Sequence, residues 1–269
     1  SHHLCQLIDS CLDELELSGC VQLGDADESD EDDARTNAQD RVAPLALGHV
    51  ASYYYLSHKT VRMFSDELSP STDIGAVLQL LSDATEFDEQ PIRHNEETQN
   101  ESMAAHCRYE PLAVWDDPHI KTNILLQCHI ARAKCPVSDF ALDQRSTLAQ
   151  AIRILQAMID VAASDGCMRK TLNIAAVVQM LKQARWHDDS PLSTLDAAMT
   201  PDLCQRLAAV RVAVPELGER QTVPASLPAL VHAAPSVRER AVKAARLGRR
   251  SSAISCQLNI TSRAAMIAR

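Results

Sequence analysis

This sequence has little of several things, and each shortage removes a class of protein. Aromatic residues make up 3% of its 269 residues, and it has seven glycines. Strands favour aromatic and β-branched side chains, whereas Ala, Leu and Gln favour helices, so the composition predicts a mainly α fold. The sparse glycines nowhere form Gly-x-x-x-x-Gly-Lys-Ser/Thr, so no phosphate loop for ATP hydrolysis is present. The nine cysteines never fall as Cys-x-x-Cys, which suggests neither a disulfide framework nor a zinc site. They read as small apolar fillers in a reducing compartment. No membrane-length apolar run, secretory signal or lipidation motif is visible, so the expectation is a nuclear and cytoplasmic protein with no membrane partner. No Ser-His-Asp or metal-binding helix pattern can be assembled, and His58, His94, His119 and His129 read as helix-end or packing residues.

Charge is present but divided. The formal net charge is −10, yet residues 1–101 carry 22 acidic and 5 basic side chains while residues 102–269 carry 14 and 21. The whole-chain value therefore does not exclude a nucleic-acid partner. From Asp202 onward there are 11 basic and 4 acidic residues, which suits either a patch for phosphates or a solvated face.

Residues 4–18 have helical apolar spacing and end at Gly19, a C-cap signal, and Cys20 to Leu23 read as a short strand. One helix and one strand cannot make a core, so residues 1–23 read as the tail of a preceding domain of winged-helix type. Residues 24–41, almost without apolar side chains, read as an acidic disordered linker lacking EF-hand spacing.

A helical bundle is expected over 42–197. Ser57 can cap a helix in which Val61, Phe64 and Leu68 share a face, and Ser71-Thr72-Asp73 leads into one with Ile74, Val77, Leu78 and Leu81 inward. Pro91 opens a polar stretch. Pro118 then starts a helix whose buried stripe is Ile120, Ile124, Leu125, Cys128 and Ile130, with Lys121, His129 and Arg132 read as surface or packing residues. Pro136 stops it, and residues 135–144 read as a loop. After Asp165-Gly166 another helix should bury Leu172, Ile174, Ala175, Val178 and Leu181 and close on Trp186, a core anchor. Residues 198–248 read as a helix-loop-helix module, with one helix over LCQRLAAVRV. SAISCQLNIT alternates and is β-prone, so residues 249–269 read as a strand or tail.

The central element is Ser146 to Ser164. At about 100° per residue its apolar side chains cover most of the helix, which predicts burial on nearly every side. The remaining arc holds Ser146, Ala149, Gln150, Arg153, Gln156, Ala157, Asp160 and Ser164. A polar strip on a buried helix needs a polar partner. Another helix, trapped water or a channel with a ligand in it would each supply one, and an Arg153–Asp160 or Arg–Glu structural contact is the plainer reading.

LGHVASYYYLSHKTVRMF, LLSDATEFDEQPIRHNEE, DPHIKTNILLQCHIAR, QAIRILQAMIDVAASDG and LNIAAVVQM stand in this order. Together they resemble the Sec-sixty-three homology domain of large Ski-like superfamily-two RNA helicases with tandem cassettes. SDATEF, PIRHNEE, LNIAAVVQM and RWHDDSPLSTL are similar to the second cassette of the signal-cointegrator branch, the nearer of the two resemblances; SYYYLSH and AIRILQA are similar to the spliceosomal branch. The resemblance implies a non-catalytic accessory domain of an ATP-dependent 3′ to 5′ helicase. Its long ratchet helix, here Ser146 to Ser164, would guide single-stranded RNA or DNA. Arg153 falls at the family's arginine, with Gln150 and Gln156 as further strand-contacting residues. Asp160 stands where archaeal relatives carry an aromatic, and Cys167 where the family usually has tryptophan.

The resemblance further implies motor and winged-helix domains in the same polypeptide, with ATP and Mg used there and no cofactor in this chain. Parental roles in ribosome quality control and alkylation repair follow, with the ribosome and cointegrator complex subunits as partners. SAISCQLNIT would be the first strand of an immunoglobulin-like sandwich. The rival implication is a protein-interaction scaffold of a spliceosomal or other regulatory cassette.

Overall fold

The computed structural model describes residues 2–24, 42–196, 199–213, 222–245 and 251–267. The chain divides into one unit up to Ala184 and a second from Arg185. The acidic linker expected over 24–41 lies, apart from Gly24, outside the described residues.

The first unit opens with α1 (His2–Leu17), which ends before Gly19 in the left-handed conformation, φ 69°, where a glycine is free of Cβ strain. β1 (Val21–Leu23) pairs antiparallel with β2 (Val42–Pro44), Gln22 opposite Ala43. α2 (Ala46–Tyr54) follows at once, close to β1 because Gly48 has no side chain: a Cβ there would lie 2.1 Å from the Cys20 carbonyl oxygen. α3 (His58–Glu67) starts at Ser57, whose hydroxyl accepts from the Lys59 N–H, and buries Val61 and Phe64. α4 (Ile74–Ser82) is capped by Asp73 and buries Ile74, Val77, Leu78 and Leu81 as their spacing predicts. After a 3₁₀ turn at Thr85–Phe87, the stretch from Pro91 is irregular and α5 runs over Glu97–Ala104.

α6 (Pro118–Ile130) has Asp117 as its N-cap and Pro118 at its first position. α7 (Ser138–Ser164) is 27 residues long, about 40 Å at 1.5 Å per residue. It packs against α2, α3, α6 and α8 (Met168–Gln183), which explains its nearly continuous apolar surface. Phe140, Ile154, Leu155 and Met158 are fully buried, each worth about 1.5–3 kcal/mol in area terms. Gly166, φ 70°, ends α7.

Three readings of the bundle are corrected. α7 begins at Ser138, not Ser146. The polar run before Ser146 hid this start, because Asp143 is buried by ion pairing with Lys121 of α6 at 2.7 Å rather than left in a loop. Ala157 belongs to the core, not the polar strip: it is fully buried, since the helix is covered there on that side too. Leu172 is exposed, and α8 instead buries Ile174, Val177, Met180 and Leu181, a face rotated from the one read.

The histidines and basic residues of α6 are structural. His129 Nε2 lies 2.8 Å from the Leu181 carbonyl oxygen and His119 Nδ1 2.8 Å from that of Ser82. Arg132 donates through Nε to the Ala184 carbonyl at the end of α8, where a cation meets the negative end of the helix dipole. Lys121 is fully buried. Its Nζ donates to Glu96 Oε2 at 2.8 Å, to Asp143 Oδ2 and to the Pro91 carbonyl at 2.6 Å, tying the irregular stretch to α6 and α7.

In the second unit α9 (Pro201–Ala208) is capped by Thr200. The helix expected over LCQRLAAVRV stops there, because Arg211–Ala213 forms β3, paired antiparallel with β4 (Thr222–Pro224). α10 (Leu227–His232) and α11 (Pro235–Ala244) follow. The sandwich strand is overturned: SAISCQLNIT lies in α12 (Ser251–Ile267). Ile254 and Leu258, four apart, are buried in one core with Leu230 and Val242, while Cys256 between them is exposed. Alternation and helical spacing coincide at these two positions, and packing on α10 and α11 selects the helix. Trp186 is buried, as an anchor should be.

Candidate nucleic-acid interface

The polar strip of α7 faces the C-terminal end of α2. Tyr55 follows that helix in the left-handed region, φ 52°, which costs a bulky residue on the order of 1–2 kcal/mol. Arg153 meets it. Its Nη1 donates to the carbonyls of Tyr54 at 2.9 Å and Tyr55 at 2.7 Å, satisfying acceptors that a helix end leaves open. Among the described residues Nη1 makes all of the Arg153 hydrogen bonds, which leaves the N–H groups of Nε and Nη2 for other acceptors. Arg153 does not pair with Asp160. The Tyr54 hydroxyl takes Asp160 instead, donating to Oδ2 at 2.8 Å. That bond, with smaller contributions from burial and from the carboxylate charge, holds the Tyr54 phenol up at about 12.

Of the residues expected to contact a strand, Arg153 and Gln150 are half-buried and Gln156 is exposed. Gln156 lines an open groove of about 580 Å³ with Tyr53, Tyr54, Ile159 and Asp160. A second hollow shares Tyr53, Tyr54 and Asp160 with it and adds His49, Val50 and Ser52. Tyr53 is 76% and Tyr55 85% exposed, large aromatic surfaces in a chain with only four tyrosines. In the sequence these tyrosines stand within a family motif and outside the expected site; their concentration in an aromatic-poor chain is the signal that marks them. Tyr53 and Tyr54 meet edge to face, 4.8 Å between centroids.

Among the described residues no group of three or more His, Cys, Asp or Glu is placed to hold a metal, and no helix is long and apolar enough to cross a membrane. What the strip offers is hydrogen-bond donors, a guanidinium with spare N–H groups and exposed π-faces. This is the chemistry of sequence-tolerant contact with an extended polymer.

The first unit is thus a helical bundle built on one long central helix, and the second a small, mainly helical module. The chain belongs to the Sec63 Brl domain family, which matches residues 44–261. It is 44% identical over 194 residues to activating signal cointegrator 1 complex subunit 3 of Rattus norvegicus and 42% over 193 to that of Homo sapiens, each match covering 71% of this chain. It is also 38% identical over 204 residues, 72% of the chain, to the RQC trigger complex helicase SLH1 of Saccharomyces cerevisiae. The matched region spans 8% of the two cointegrator subunits and 10% of SLH1. The domain is thus an accessory domain of a kind found in large helicases.

Proposed function

We propose that this domain serves an ATP-dependent 3′ to 5′ helicase by guiding the translocating single strand of RNA or DNA along α7. The observation that carries this reading is Arg153: it secures the end of α2 through one nitrogen and holds two others unspent, about one helical turn from exposed Gln156, which lines a groove with Tyr53. ATP and Mg²⁺ act in motor domains elsewhere in the same polypeptide, and this domain contributes grip rather than hydrolysis. By analogy with the named relatives, the parent works in ribosome quality control, in contact with the ribosome and cointegrator complex subunits. Alkylation repair is a further role carried by the family resemblance alone, and nucleus and cytoplasm are the proposed location.

Arg153→Ala and Gln156→Ala in the full-length protein test the reading. Because Arg153 also supports α2, the exposed Gln156 is the cleaner probe. Both variants should unwind a tailed duplex more slowly while hydrolysing ATP at close to the normal rate. Unwinding at the wild-type rate by both would sink the guiding role and favour a protein-interaction scaffold.

A further inference from the structure

Tyr53 lines both hollows, with its ring in edge-to-face contact with Tyr54 and most of its surface open. Tyr54 is in turn fixed by its hydrogen bond to Asp160. An exposed aromatic held in this way loses little freedom when a flat partner lies on it. The groove beside it has Ile159 as its one aliphatic lining residue, too little to anchor an apolar peptide side chain. The charge is informative too. Asp160 lines both hollows and repels a phosphate, yet its carboxylate accepts N–H donors, and among the described residues its Oδ1 makes no hydrogen bond. A group that is flat, neutral and rich in N–H donors along one edge satisfies all of these conditions. Guanine, with a ring N–H beside an exocyclic amino group, fits a carboxylate best; uracil, with one N–H between two carbonyl oxygens, fits worst.

We propose that the groove between α2 and α7 is a nucleobase site in which Tyr53 stacks on one base of the guided strand and Asp160, with Gln156, reads its edge, favouring guanine. The site rests on the guiding role proposed above and deepens it: Arg153 faces the backbone and Tyr53 the base. The strand contact is therefore not sequence-blind at this step, and a guanosine is held longer than a uridine.

The test uses the full-length protein and single-stranded RNA probes of uridines carrying one guanosine at successive positions, read by fluorescence anisotropy and by unwinding of duplexes with the same tails. Wild type should bind more tightly when the guanosine occupies one register. Tyr53→Ala should weaken binding about tenfold, within the range for loss of one stacked base, and Tyr53→Phe should not. Asp160→Asn should erase the guanosine advantage, bringing the guanosine-containing probes down to the all-uridine probe. Retained binding and unwinding in Tyr53→Ala, with a loss in Gln156→Ala, overturns the stacking site and leaves the guiding helix standing. Wild-type behaviour in all of these variants overturns both. Loss in Tyr53→Ala with no guanosine register overturns the edge reading.

Discussion

The Tyr54 hydroxyl reaches Asp160 at 2.8 Å across 106 residues of sequence, so α2 and α7 meet through a polar contact at their exposed edge as well as through their apolar faces. The Asp160 carboxylate raises the phenol to about 12, and the sign of the linkage follows. A folded pKa above the ordinary 10.0 means the contact stabilises fully below pH 10 and is lost as pH rises through about 12. Asp160→Asn should return this tyrosine toward its ordinary value. NMR titration with ¹³C-labelled tyrosine checks it: the one ring that titrates above the others in wild type should join them in the variant.

Lys121 is fully buried between Glu96 and Asp143, at 2.8 and 2.7 Å. Lys121→Met leaves Arg93 as the partner of both carboxylates, so the loss should fall at or below the roughly 3–5 kcal/mol of a buried charge left without any partner. Urea denaturation at neutral pH should show a lower midpoint with an unchanged slope.

The same cluster predicts an acid response. Burial pushes the Asp143 carboxyl up, but hydrogen bonds from Arg93 and Lys121 outweigh it and hold the pKa below the ordinary 3.8. Its stabilising contribution is therefore present above pH 3.8 and lost as pH falls through the lower folded value. Asp83 is shifted up by burial and opposes this, taking its proton more readily in the folded state. Asp143→Asn should lower stability at pH 7 and flatten the fall below about pH 4, measured by thermal unfolding across pH.

Gly48→Ala would place a methyl carbon 2.1 Å from the Cys20 carbonyl oxygen, a backbone atom that cannot swing aside. Overpacking of this kind costs about 1–3 kcal/mol. Amide hydrogen exchange should show the loss first at the start of α2 and in β1.

In the second unit, Ile254→Ala and Leu258→Ala should each cost about 2–5 kcal/mol, because both side chains are fully buried. Cys256→Ala should cost little, and the Cys256 thiol should react with a maleimide in the folded protein. A strand would put all three on one face, so protection of Cys256 would contradict the helix.

Where local chemistry decides, the amino-acid sequence suffices. Ser57, Asp73, Asp117 and Thr200 mark their helix starts, because a cap is a bond between a side chain and the N–H groups two or three residues on. Gly166 ends the central helix for an equally local reason, and the apolar spacing of Ile74 through Leu81 marks an inward face. Other features depend on groups far apart in the chain. Asp143 sits in a helix because Lys121 meets it, and SAISCQLNIT is helical because α10 and α11 cover Ile254 and Leu258. The candidate site belongs to this second kind. Arg153 and Asp160 each bond to α2 instead of to one another, and that choice places Tyr53 beside them. Hydrogen-bond partners about a hundred residues away leave no periodic trace along either segment, so only tertiary packing could make the strip a site.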